Sequence, residues 1–199
     1  FPASNTELVL NDHQIEIIYN KNDLLIKGSG KVRIEKEFDK INYYISKIRN
    51  EFKFNTKLDL DRTLFEIDYL NFKNDKELTT QLEVVGSYKK DKETNLKKIS
   101  IQNQNSQIKL SNLLLDADNK ILKIDEVDFN YIDVENRKNQ LLLQKKNNNE
   151  YELNGPIFNA NKLISDLLKS KDDQQSDIFK NDINLSLDLE EVYIDNESM

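Results

Sequence analysis

The 199-residue chain is the size of one domain or of a piece of a larger one, and its 37% hydrophobic content against 33% charged departs from the about 45–50% and about 25% usual in globular domains, which argues against a thick, many-layered core. Its 29 basic and 36 acidic residues are interspersed and give −7, which excludes nucleic acid as the main ligand, and the absence of cysteine excludes disulfides, thiolate catalysis and cysteine zinc sites. No run approaches the about 18 apolar residues of a spanning helix. A chain that opens at Phe1 and stops after a strand-like run at Met199 reads as a single fragment of a larger protein, over 1–199, whose signal or anchor would lie upstream.

Period-two alternation predicts a strand at nearly every step along the chain. The first three fall at 15–18, 26–34 and 41–48. The fourth carries Phe52, Phe54, Leu58 and Leu60, and the fifth Phe65 and Ile67. Leu78, Leu82 and Val84 mark the next, followed by Ile99 with Ile101, and Ile108 with Leu110. Strands at 122–131, 141–143, 151–153 and 183–194 complete about a dozen, with Val127 and Phe129, Leu141 and Leu143, and Leu153 on their apolar sides. Short links such as Asp61-Arg62 and Asn147-Asn148-Asn149 favour an antiparallel meander, because parallel neighbours need long crossovers. With 4 glycines and 2 prolines, the turns must be made by Asn and Asp, a choice that resembles compositional drift toward Asn and Lys more than a turn code.

One helix is expected near 159–169. Gly155-Pro156 breaks the preceding strand, Asn159 can cap, and Ala160, Leu163, Ile164, Leu167 and Leu168 share a face. The polar stretch 171–177 then reads as a flexible loop. A weak internal echo, offset by 57 positions, relates 65–72 to 122–129, with a third partial copy from Leu185. In each the Asp (Asp68, Asp125, Asp188) falls where the strand changes face, which a bulge would explain. Two readings follow: alternating strands that simply look alike, or a repeated hairpin unit stacked into a long sheet.

Chemistry is scarce. Gly28-Ser29-Gly30-Lys31 lacks the spacing and the Ser or Thr of a phosphate loop, and Ile26, Gly28, Gly30, Val32 and Ile34 keep strand alternation through it, so close packing of a neighbouring backbone is the expected reason for the glycines. Asp116-Ala117-Asp118-Asn119-Lys120 begins like a calcium loop but puts a cation at a ligand position, and reads as a turn. His13 is the one histidine, with no nucleophile elbow beside it, and Asp59 and Asp61 lie on the polar side of one strand. The sequence therefore predicts no catalytic, cofactor-binding or metal-binding residue.

What is left is the apolar side of the sheet. Leu58, Leu60, Ile67, Leu82, Val84, Ile99, Ile101, Val127, Phe129, Leu141, Leu143 and Leu153 are the candidate lining of a groove, if that side is neither folded on itself nor covered by a second sheet.

The run 26–32, the segment 52–72, and above all 151–168 followed by 183–192 resemble the AsmA-like superfamily, in particular the domain of YhdP-type and TamB-type bacterial envelope proteins, over about 23–194. The resemblance implies an elongated, twisted, groove-forming β-sheet and no catalytic residues. It implies a protein anchored in the inner membrane by an upstream helix, crossing the periplasm and guiding phospholipid acyl chains along its apolar interior. The expected function is thus a non-enzymatic segment of a bridge-like lipid-transport or outer-membrane assembly protein. The alternatives are a structural or adhesive β-module with a self-filled core, and a lipopolysaccharide-bridge protein.

Overall fold

In the computed structural model the described residues are 9–21, 23–34, 36–75, 77–89, 92–162, 164–165 and 180–194. Eleven strands form one open sheet: β1 (Leu10–Asn20), β2 (Asp23–Ile34), β3 (Glu37–Ile48), β4 (Glu51–Leu60), β7 (Thr80–Lys89), β8 (Thr94–Gln102), β9 (Gln107–Leu115), β10 (Ile121–Ile132), β11 (Lys138–Lys145), β12 (Glu150–Asn159) and β13 (Asn184–Tyr193), neighbouring in that order. Between β4 and β7 the chain leaves the sheet to make a small hairpin, β5 (Glu66–Ile67) and β6 (Phe72–Lys73), joined by a 3-10 turn over Asp68–Leu70. The expected all-β meander is therefore what the chain adopts, with two corrections. The sheet is mixed, because β13 pairs with β12 in parallel across the long connection that follows Asn159. Ile67 belongs to the hairpin and Phe65 immediately precedes it, neither being in the main sheet, and β7 begins at Thr80, beyond Leu78.

Loop chemistry explains the hairpins. Among the described residues, six non-glycine positions have positive φ (Asp12, Arg49, Asn71, Asn112, Asn119 and Asn136) and no glycine does. Asn tolerates the left-handed region better than most residues, so it replaces glycine in the turns. The β9–β10 and β10–β11 turns follow one rule. Asp116 and Asp133 each accept two backbone N–H bonds from their own turn (Asp118 and Lys120; Glu135 and Arg137), and an Asn three residues on takes φ 63° or 60°. This is a turn code of aspartate caps with left-handed asparagines, where composition suggested drift.

The glycines serve the sheet instead. At Gly30 a Cβ would lie 2.7 Å from the Asp12 carbonyl, where β1 bulges between Asn11 and Gln14. At Gly155 it would lie 2.2 Å from the Gln140 carbonyl. Gly155-Pro156 does not break β12. It sits where the β11–β12 register shifts between Gln140 and Leu142, so the proline's missing N–H falls at an irregularity in that ladder.

Of the helix expected at 159–169, residues 161, 162, 164 and 165 are helical. The Ile164 N–H donates to the Ala160 carbonyl at 2.9 Å, and the Asn159 side chain accepts from the Asn161 N–H at 3.3 Å, as a cap should. Leu163 and 166–169 lie outside the described residues, as does the expected loop 171–177.

The echo between 65–72 and 122–129 is not a structural repeat, since the first segment is the small hairpin and the second runs inside β10. The face change at Asp125 is present. Ile124 and Val127, three apart, both sit in the core. The same step recurs beside it in β9, between Leu110 and Leu113 around the left-handed Asn112, and in β8, between Leu96 and Ile99.

Candidate apolar binding face

Residues directly opposite on neighbouring strands share a face. One such row crosses the whole sheet from β1 to β13: Ile15, Gly28, Tyr43, Thr56, Val84, Ile99, Leu110, Val127, Leu143, Leu153, Leu187. The row beside it, on the opposite face, reads Glu16, Lys27, Tyr44, Asn55, Val85, Lys98, Ser111, Glu126, Gln144, Glu152, Ser186. The sheet is thus predominantly apolar on one side, with Thr56 the polar exception in that row, and predominantly polar on the other, where Tyr44 and Val85 are the exceptions. Ion pairs lace the polar side, among them Lys27–Glu16 at 3.5 Å and Lys98–Glu83 at 2.6 Å. The Lys98 ammonium, bonded to Glu83, holds that carboxyl below its ordinary value against the opposing effect of burial. Apart from the two-stranded β5–β6 hairpin, the described strands form no second sheet over the apolar side.

Register places eleven of the twelve candidate lining residues on this apolar side. Leu58 faces Leu82, which faces Ile101, and Phe129 faces Leu141, while Val84, Ile99, Val127, Leu143 and Leu153 lie in the long row. Leu60 faces Thr80, two residues along from that Leu58–Leu82 pair. The exception is Ile67, which covers the face from the β5–β6 hairpin and packs on the same cluster as Leu82.

Protein covers these residues unequally. Leu60, Ile101, Val127 and Leu141 are fully buried, whereas Leu58, Leu82, Val84, Ile99, Phe129, Leu143 and Leu153 are half-buried. The main cluster is built from 61–79 together with β7–β12: Phe72 meets Tyr131 edge-on with centroids 5.7 Å apart, over Ile101, Ile108 and Val127. A second, smaller cluster joins Leu141, Phe158, Ala160 and Ile164. Strands β1–β4 contribute to neither, and at the two edges the apolar side is open: Ile17 is 63% and Leu187 62% exposed.

The covering segment is held by buried polar groups that the sequence reading passed over. Asp39 on β3, 1% exposed, accepts the N–H groups of Asp61, Arg62 and Thr63 at 2.9–3.1 Å. Asn74 accepts from the Phe65 N–H and donates to the Thr63 carbonyl. The Tyr131 hydroxyl donates to the Leu70 carbonyl at 2.9 Å, and burial raises its phenol above the ordinary value. Nearby, the Asp133 carboxylate also accepts from the side-chain amides of Asn139 and Asn159, tying the β10–β11 turn to the end of β12. An aspartate within an alternating strand is the available signal for Asp39, but its partners lie 22–24 residues away in sequence, too far for local pattern to find.

The motif fragments noted in the sequence occupy these places in the fold. Gly28-Ser29-Gly30-Lys31 runs through the middle of β2. His13 stacks on Tyr43 with ring centroids 5.6 Å apart. Asp116 caps its turn and pairs with Lys180 at 2.9 Å. Among the described residues no group of three or more metal-ligating side chains gathers, and no helix is long and apolar enough to cross a membrane. Comparison of the chain with protein-family models, curated proteins and solved structures gives no match.

Proposed function

We propose that this chain is a non-enzymatic segment of a bridge-like lipid-transport or envelope-assembly protein, in which the apolar side of the sheet shelters phospholipid acyl chains. The observation that carries this reading is the apolar row over eleven strands, broken only by Thr56, on a face that is half-covered at Ile41, Ile45 and Phe54 and open at both edges. An exposed apolar surface of this extent is costly in water unless something apolar covers it. Acyl chains fit because they need no hydrogen-bond partners and no bond chemistry. The resemblance to AsmA-like envelope proteins agrees with this and suggests a periplasmic setting with an inner-membrane anchor upstream. A structural β-module is the second reading, favoured by the packing of 61–79 onto β7–β12, which fills that half with the chain's own side chains.

Binding of a fluorescent phospholipid to the purified chain, beside mass spectrometry of its organic extract, tests the proposal. The parent protein should bind, and Ile45→Asp, on the less covered half, should lose binding by about tenfold or more with an unchanged circular dichroism spectrum, since a carboxylate resists desolvation under an acyl chain. A parent protein that neither binds nor carries lipid would decide for the structural module.

A further inference from the structure

At the end of the strands opposite 61–79, residues at the β3–β4 junction and at the adjoining ends of β7 and β8 line an open cavity of about 660 Å³, formed by Lys47, Arg49, Glu51, Phe52, Lys89 and Lys92, with Ile48 and Asn50 between them. Four cations against one carboxylate leave +3 (4 minus 1) on a chain whose net charge is −7. Among the described residues none of these four cations is ion-paired. The larger cavity at the same end of the sheet, about 870 Å³, differs in this respect: its Lys123 and Lys146 are already neutralised by Asp125 and Glu152 at 2.7 and 2.5 Å.

The cationic cavity is continuous with the apolar side. Lys47, Phe52 and Tyr88 stand opposite one another on β3, β4 and β7, with the Lys47 ammonium 5.2 Å from the centre of the Phe52 ring. The next row inward is Ile45, Phe54 and Gly86, without a polar side chain. Charge thus gives way to an apolar surface within two residues along a strand, about 7 Å. A free anion would use the cations and leave the aromatic and aliphatic rows unused. A molecule with an anionic head and a hydrocarbon tail uses both.

We infer that this cavity is a headgroup site for an anionic phospholipid, its phosphate held by Lys47, Arg49 and Lys92 and its acyl chains laid over Phe52, Phe54 and Ile45. The site rests on the proposed lipid-binding reading of the apolar side and adds a preference among lipids to it. Phosphate suits Arg and Lys because charge-assisted hydrogen bonds from several donors can converge on its oxygens.

The test compares three probes on the full chain: short-chain phosphatidylglycerol, the uncharged diacylglycerol of the same chain length, and inorganic phosphate. Phosphatidylglycerol should bind about tenfold more tightly than diacylglycerol, with the difference shrinking as salt is raised. The double variant Arg49→Asn, Lys92→Gln should remove that preference and leave diacylglycerol binding unchanged. Asn suits the positive φ of 56° at position 49, so the turn survives the change. Equal binding of the two lipids by the parent protein overturns the headgroup site while leaving the apolar face as a lipid surface. Phosphate binding as tight as phosphatidylglycerol assigns the cavity to a free anion and overturns the lipid site. Failure of both lipids to bind overturns the proposed function itself, and the headgroup site with it.

Discussion

Strands β2–β4 and strands β8–β10 carry the same alternation, and their apolar residues stand in the same rows of the same sheet. In the second group Ile101, Ile108, Leu113, Ile124 and Val127 form a buried cluster, while in the first Ile26, Ile41, Ile45 and Phe54 stay half-buried and join none. The difference arises above the sheet, where the segment 61–79 lays Phe65, Ile67, Leu70 and Phe72 over one half. Alternation alone therefore makes an apolar face, and a core appears where a second element is tethered onto it.

The largest expected effect breaks the covered half. Ile108→Ala should cost about 2–5 kcal/mol in chemical denaturation, because the residue is buried in the main cluster. Ile45→Ala on the less covered half should cost under about 1.5 kcal/mol, since little packing is lost where little exists. Equal losses would show that the two halves are equally packed and would remove the contrast.

Next comes the tether. Asp39→Ala strips the acceptor from three backbone N–H groups, and with hydrogen bonds to a charged group worth about 1.5–3 kcal/mol each, a loss of at least about 2 kcal/mol is expected. Hydrogen exchange should quicken over 61–75 before it does over β8–β10. Uniform acceleration would mean that the cover and the sheet open as one unit.

Smaller effects come from glycines within the strands. Gly155→Ala drives a methyl group toward the Gln140 carbonyl and should cost about 1–3 kcal/mol, because backbone must move. Gly28→Ala meets the outer atoms of the Tyr43 ring, on the less covered half, where a side chain can swing aside, and should cost less. A reversed order of melting temperatures would place the rigid half at β2–β3.

The smallest effect sharpens the contrast between the two faces. Glu83 has its folded value depressed by Lys98, so its contribution is complete above the unfolded carboxylate value and is lost as pH falls through the folded one. Stability should hold down to about pH 5 and decline below it, and Glu83→Gln should lessen the decline by no more than about 1 kcal/mol, as for an ion pair on the polar face. An unaltered pH profile in the variant would show that this ion pair contributes nothing to stability.

By itself the sequence determined the class of structure: period-two alternation with short Asn- and Asp-bearing links leaves a meander with one apolar and one polar face, because side chains of a strand alternate without exception unless a residue is inserted. It also placed Leu58, Leu82, Val84, Ile99, Phe129, Leu143 and Leu153 on one apolar face, since each follows from the pattern of its own strand. Tertiary structure alone decided that Ile67 covers the face instead of belonging to it, that β13 joins in parallel, and that Asp39 anchors a segment more than twenty residues downstream. It also decided that the turns flanking β3–β4 and β7–β8 bring their lysines and arginine together around one cavity. These outcomes rest on contacts between residues far apart in the chain, and local periodicity carries no information about where a departing segment returns.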